Sequence, residues 1–204
     1  MERDFFLEAS IRSCRQCPLG SLREGTGGIA VPAEPGSKYR QGGLAFMAEA
    51  PGRDEDATGR PLVGRAGQTF SELLEAAGID RDEVLLINRV CCRPPGNKLT
   101  DYPEALPACS PWVEQSLDVY GPRVIVLMGA TALAPVFGAK SKVEFTRGQC
   151  RTAYRDNGTI VTYVATYHPA ALLRRPSQEL FELVANDYRL AAEMLREVGS
   201  ADVH

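Results

Sequence analysis

The chain has 204 residues, 44% of them hydrophobic, and a formal net charge of −3. That length and composition fit one compact domain over residues 1–204 with a substantial core, and the charge excludes a coat protein that grips nucleic acid through overall basicity. No stretch reaches membrane-spanning length and no apolar run follows Met1, so a cytoplasmic chain is expected, in which six cysteines read as ligands or buried residues rather than as disulfides.

Residues 3–12 predict a short helix that runs into Cys14-Arg-Gln-Cys17-Pro, a pair spaced to bring two thiolates to one metal or cluster edge. The Gly-, Pro- and Ser-rich segment 20–43 reads as irregular. Leu44-Ala-Phe-Met-Ala48 has the length and bounding glycines of a buried strand. The twenty residues from Ala48 to Gly67 then read as a long loop at that strand's carboxyl end, the edge where open α/β sheets bind ligands. This stretch carries the carboxylates Glu49, Glu55 and Asp56 beside Arg60 and Arg65, with turn chemistry at Pro51-Gly52 and Gly59-Arg-Pro61. A solvated acidic turn would carry the same charges.

Phe70, Leu73, Leu74 and Ala77 recur at helical spacing, with Gly78 as the expected C-terminal cap. Val84-Leu-Leu-Ile87 is a second strand and brings Asn88 to a carboxyl edge. A helix starting near Pro103 holds Cys109 and turns Trp112, Val113 and Leu117 to an apolar face. Val124-Ile-Val-Leu-Met128 is a third strand, running into Gly129 and a short helix over 130–137. Tyr154 and Ile160-Val-Thr-Tyr-Val164 predict a hairpin across Asp156-Asn-Gly158, and the last strand ends at Thr166-Tyr-His168-Pro169. A long amphipathic helix from Ser177 to about Val198 follows. Strands alternating with helices predict an α/β fold, a mostly parallel sheet with helices on both faces.

Cys14 and Cys17 need partners, for which Cys92 and Cys109, sixteen residues lying between them, are the best candidates. Spacing alone leaves Cys91 as an alternative to Cys92, and leaves zinc and an iron-sulfur cluster both open. Cys150 reads as a small buried residue. His168 is the one histidine besides the terminal His204. It stands at a strand end before a proline and the segment Ala170-Ala-Leu-Leu-Arg-Arg175, which reads either as an apolar wedge beside phosphate contacts or as an ordinary helix start with Leu172 and Leu173 in the core. Three strand ends thus present carboxylates, an asparagine and a histidine. An asparagine amide matches the donor and acceptor edge of a pyrimidine, a histidine can donate to an oxygen gaining charge as a base departs, and a carboxylate can orient water. Those parts suit cleavage of an N-glycosidic bond.

Glu49-Ala-Pro-Gly52, Gly59-Arg-Pro-Leu-Val-Gly-Arg-Ala-Gly67, Asn88 with Cys92-Arg-Pro-Pro95, Gly129-Ala-Thr131 and His168-Pro-Ala-Ala-Leu-Leu-Arg174 together resemble the successive motifs of the family 4 uracil-DNA glycosylases. The resemblance spans nearly the whole chain in the right order. It implies a three-layer αβα fold, acting as a monomer, that excises uracil from DNA by flipping the nucleotide into a pocket. It also implies a [4Fe-4S] cluster on Cys14, Cys17, Cys92 and Cys109. By position, Glu49 would contact or activate water, and Glu55 or Asp56 would supply a second carboxylate. Asn88 would read the uracil edge, Ala50 and Leu62 would lie against the base, and His168 would stabilise the departing O2. Leu172 would fill the space left in the duplex, Arg174 and Arg175 would hold phosphates, and Arg65 and Asn97 would join the DNA-contacting set.

Ala48 stands where the family usually has glycine, Cys91 where it often has lysine, and Leu62 where it has a phenylalanine that stacks on the base. Loss of that aromatic predicts weaker uracil binding, since stacking contributes roughly 1–3 kcal/mol per base, and a roomier pocket that takes other deaminated bases such as xanthine or hypoxanthine. The segment from Arg93 to Thr100 has no histidine to trap a product covalently, and the pocket motifs have no lysine for a lyase step. A catalytically weak or inactive DNA-binding iron-sulfur protein of the same fold is the alternative.

Overall fold

The structure, a computed structural model, describes residues 2–201, so His204 lies outside it. Helices α1 (Glu2–Ser13) and α2 (Pro18–Thr26) precede a two-residue strand β1 (Glu34–Pro35) and the central strand β2 (Leu44–Ala48). There follow α3 (Arg53–Thr58), α4 (Arg65–Ala77), β3 (Val84–Asn88), α5 (Ala105–Tyr120), β4 (Val124–Met128), α6 (Ala130–Phe137) and α7 (Val143–Thr146). The hairpin β5 (Cys150–Tyr154) and β6 (Ile160–Thr166), then α8 (Ala170–Arg174) and α9 (Gln178–Ala201), complete the order.

One six-stranded sheet runs β1-β3-β2-β4-β6-β5. Its four inner strands are parallel, and the outer two pair antiparallel, with Tyr154 opposite Ile160 in the hairpin. Strands β2, β3 and β4 are buried along their whole length, as expected when both faces are covered. The period of two divides their side chains. Leu44, Phe46, Val84, Leu86, Val124 and Val126 pack with Phe70, Leu73 and Leu74 of α4 and with Val184 and Tyr188 of α9. Ala45, Met47, Leu85, Ile87, Ile125 and Leu127 pack with Val113 and Leu117 of α5 and Leu133 of α6. Three layers result. None of the described helices is long and apolar enough to cross a membrane.

Two segments differ from the sequence expectation. The 48–67 stretch is not irregular throughout, because Arg53–Thr58 forms α3 inside it and α4 already begins at Arg65. No apolar period marks α3; its acidic first turn, Asp54, Glu55 and Asp56, complements the helix dipole instead. Within 20–43, α2 extends to Thr26, started by Pro18 and stopped by Gly27 in the left-handed region. It buries Leu19 in a third core with Ile11, Val90, Cys91, Cys92 and Cys109, which fastens the amino-terminal helices to the sheet's flank. Cys150 is exposed on the edge strand β5 rather than buried, because no layer covers that strand.

Candidate active site

After β2 the chain runs to β3 on one side, and β4 then pairs with β2 on the other, so the strand order reverses at the carboxyl end of β2. That is the crevice where doubly wound sheets hold ligands. A cavity of about 380 Å³ lies there, lined among others by Ala48, Glu49, Ala50, Glu55, Leu62, Asn88, Asn97, Gly129, His168 and Arg174. A larger open cleft of about 730 Å³ lies at the opposite strand edge around Gly43 and Arg123, and it holds none of the residues that terminate the parallel strands.

His168 sits two residues beyond β6. Its Nδ1 accepts the backbone N–H of Ala170 at 3.1 Å. Burial, and secondarily the charge of Arg174, lower its pKa to about 4, so the ring is neutral at physiological pH. With Nδ1 acting as acceptor, the ring proton is on Nε2. Gly129, at φ 90°, backs this loop: a Cβ there would stand 3.4 Å from that of His168. Behind His168, the Thr166 hydroxyl donates to Asp187 Oδ2 at 2.7 Å, and Asp187 is ion-paired with Arg147.

Glu49 follows β2 directly, and the hydroxyl of Thr131, at the start of α6, donates to its Oε2. Thr131 was not among the residues picked out from the sequence, although its motif was; a hydroxyl three residues past the end of β4 is the signal that could have found it. Asn88 is the last residue of β3, in register with Ala48, and is only 5% exposed. Its amide belongs to the cavity wall. Glu55 is buried, and its Oε1 accepts the backbone N–H of Val63 and of Gly64, both at 2.9 Å. Its carboxylate therefore shapes the turn that carries Leu62.

The cysteines gather away from this cavity. Cys92 lies within electrostatic reach of Cys14, Cys17 and Cys109, and burial raises its pKa to about 12. The Cys91 thiol donates to Cys109, which lowers the Cys109 pKa and raises that of Cys91. Trp112 Nε1 donates to Cys14 Sγ at 3.3 Å. Arg23 and Arg89 each bury an Nε that has no hydrogen-bond partner among the described residues. Arg23 lies within electrostatic reach of Cys92, and Arg89 within that of Cys109. No three His, Cys, Asp or Glu side chains among the described residues are drawn together as for a single ion.

Residues 37–191 match the family model described as the uracil DNA glycosylase superfamily. The chain belongs to that superfamily. Among its relatives is the type-4 uracil-DNA glycosylase of Pyrobaculum aerophilum, 39% identical over 175 residues, 84% of this chain and 85% of that protein. The type-4 enzyme of Thermotoga maritima is 37% identical over 189 residues, 93% of each chain. That of Archaeoglobus fulgidus is 34% identical over 189 residues, 90% of this chain and 89% of its own.

Several residues named from the motifs of this superfamily stand elsewhere than expected. Asp56 does not line the cavity, since adjacent helical residues point about 100° apart. Its carboxylate faces Gly28 instead, in the field of Arg93 and Arg23. Leu172 is no exposed wedge; it is 8% exposed and belongs to the core, whereas Leu173 is 37% exposed. The five-residue helix α8 turns one leucine in and the other out. Arg174 reaches the cavity; Arg175 and Arg65 are exposed outside its lining. Asn97 has φ 56°, and its Oδ1 accepts Arg93 Nε at 2.9 Å on the cavity rim.

Proposed function

We propose that this chain hydrolyses the N-glycosidic bond of uracil in DNA, as a repair glycosylase that leaves an abasic site and does not cut the backbone. The observation that carries the reading is a neutral His168 with its proton on Nε2, sharing one cavity with the Thr131-anchored Glu49 and the buried amide of Asn88. Superfamily membership and the type-4 relatives support it.

The leaving base takes the bonding electrons and gathers negative charge on O2, where Nε2–H of His168 donates a hydrogen bond. The sugar becomes cationic, and the Glu49 carboxylate stabilises it and accepts a proton from the attacking water. Thr131 fixes which oxygen of Glu49 is engaged. Asn88 offers its donor and acceptor to the far edge of uracil, and Leu62 provides an aliphatic face for the ring. A neutral imidazole suits this task, because it donates a hydrogen bond without surrendering its proton. Arg174 and Asn97 at the cavity, with Arg175 and Arg65 farther out on the surface, supply groups to phosphates, and exposed Leu173 takes the wedge position in place of Leu172.

Cys14, Cys17, Cys92 and Cys109 would hold a [4Fe-4S] cluster, and the buried surroundings fit one: the Trp112 N–H already on a cysteine sulfur, and two buried arginine Nε atoms awaiting acceptors near anionic thiolates. Such a cluster supplies a structural staple between the amino-terminal helices and α5, and an electron-transfer centre needs the same ligands.

The test is base release from end-labelled duplexes holding one uracil, xanthine or hypoxanthine, with alkali to reveal abasic sites, for the wild type, His168→Ala and Glu49→Ala. Uracil release that falls by about 10²–10⁴ in the variants is expected. A cluster-loaded wild type that binds DNA and releases nothing would leave the inactive iron-sulfur reading.

A further inference from the structure

Leu62 meets the cavity from a backbone conformation that leucine seldom adopts, φ 52°. Two side chains from elsewhere hold the turn. Glu55 takes the N–H groups of Val63 and Gly64 from one side. From the other, Arg81 Nη2 donates to the Leu62 carbonyl oxygen at 2.9 Å, while Nη1 donates to Ser71 Oγ at 2.9 Å and reaches the Gly67 carbonyl at 3.4 Å. The guanidinium lies over the ring of Phe70, 5.3 Å from its centroid. One planar fork thus ties the Leu62 turn to the first two turns of α4. The approach is close: a Cβ on Gly67 would stand 1.8 Å from the Leu62 carbonyl oxygen.

Arg81 opens the 3₁₀ turn Arg81–Glu83 that leads into β3, lies outside the cavity lining, and belongs to none of the motifs on which the resemblance rests. We propose that Arg81 is a positioning residue for the base pocket: by clamping the Leu62 carbonyl to α4, it sets the height at which the Leu62 side chain meets the base, and so tunes base affinity. An aromatic ring would cover the base through its breadth. An aliphatic side chain has less face to offer, so its contact depends more on where its backbone is held. Lysine could not replace the fork, because one ammonium cannot serve carbonyls and a hydroxyl on both segments in fixed geometry.

The inference rests on the glycosylase reading, and a double-mutant cycle of Arg81→Gln and Leu62→Ala tests it, using inhibition by free uracil, single-turnover excision and thermal midpoint. Arg81→Gln should weaken uracil inhibition about tenfold, within the range that one base contact spans, while the rate at saturating enzyme changes less than about threefold. In the Leu62→Ala background, Arg81→Gln should weaken it no further, because no side chain remains to be placed. Equal losses in both backgrounds would mean general damage and overturn the proposal, as would unchanged inhibition in Arg81→Gln. If Arg81→Gln fails to fold, Arg81→Lys carries the same comparison, keeping the charge but not the fork. A wild type that releases no uracil would sink the glycosylase reading and this inference with it; a wild type that does, beside an indifferent Arg81→Gln, would sink this inference alone.

Discussion

His168 Nδ1 accepts the backbone N–H of Ala170, so the ring that faces the cavity can donate only through Nε2. The pKa of about 4 has two consequences that experiment can separate. For catalysis, the neutral form persists well below pH 6, so the single-turnover rate should show no acid limb near 6.5 that belongs to His168. An acid limb near 6.5 that disappears in His168→Gln would contradict this.

For stability, the unfolded histidine titrates near 6.5 and the folded one near 4, so between those values the unfolded state binds more protons. The contribution is fully present above pH 6.5 and is lost as pH falls toward 4. Denaturant unfolding should therefore show wild type losing stability relative to His168→Gln on acidification through that window. A constant difference from pH 7 to pH 4 would refute the assignment.

Thr131 donates to the carboxylate of Glu49. A hydrogen bond to a charged group is worth roughly 1.5–3 kcal/mol, so Thr131→Val should slow excision by about 10–100-fold and Thr131→Ser should restore most of it. Uracil inhibition should change little in either variant, since Thr131 is outside the cavity lining. Rates in Thr131→Val equal to wild type would remove Glu49 anchoring from the mechanism.

The two leucines of α8 have opposite environments. Leu172→Ala should destabilise the fold by roughly 2–5 kcal/mol, as buried leucines do, whereas Leu173→Ala should leave stability within about 0.5 kcal/mol. Leu173→Ala should instead slow excision from duplex DNA more than from single strands, because only a duplex must be wedged open. Equal effects on both substrates would reject Leu173 as the wedge.

Cys92 is in reach of the other three proposed ligands, while Cys91 spends its thiol proton on Cys109. After reconstitution with iron and sulfide, Cys92→Ala should lose the broad visible absorption of a cluster and Cys91→Ala should keep it. The opposite pattern would exchange their roles. Trp112→Phe, which removes the N–H on Cys14 Sγ, should retain the cluster and lower its reduction potential.

The parallel strands, the cap at Gly78 and the hairpin turn were legible because each is written locally, as an apolar run, a helical period or an Asn-Gly pair. Helices α2 and α3 were not, because their stability comes from caps, dipole and tertiary contacts rather than from an apolar stripe. Glu49, Asn88 and His168 could be nominated because strand ends in an alternating α/β chain must share one edge. Asp56 and Leu172 could not be placed by the same logic. A neighbouring carboxylate or leucine has identical chemistry, and only the helix phase decides which one faces the cavity.

What the sequence by itself determined is the succession of the parallel strands and of the helices with an apolar period, the edge where the site lies, and the residue types available there, since hydrophobic period and turn chemistry act over a few residues. Only the tertiary structure decided that Glu55 serves the Leu62 turn, that Thr131 anchors Glu49, that His168 is neutral with its proton on Nε2, and that Arg81 clamps a carbonyl nineteen residues away. Those outcomes depend on burial and on hydrogen bonds between segments distant in the chain, and neither exists until the layers have packed.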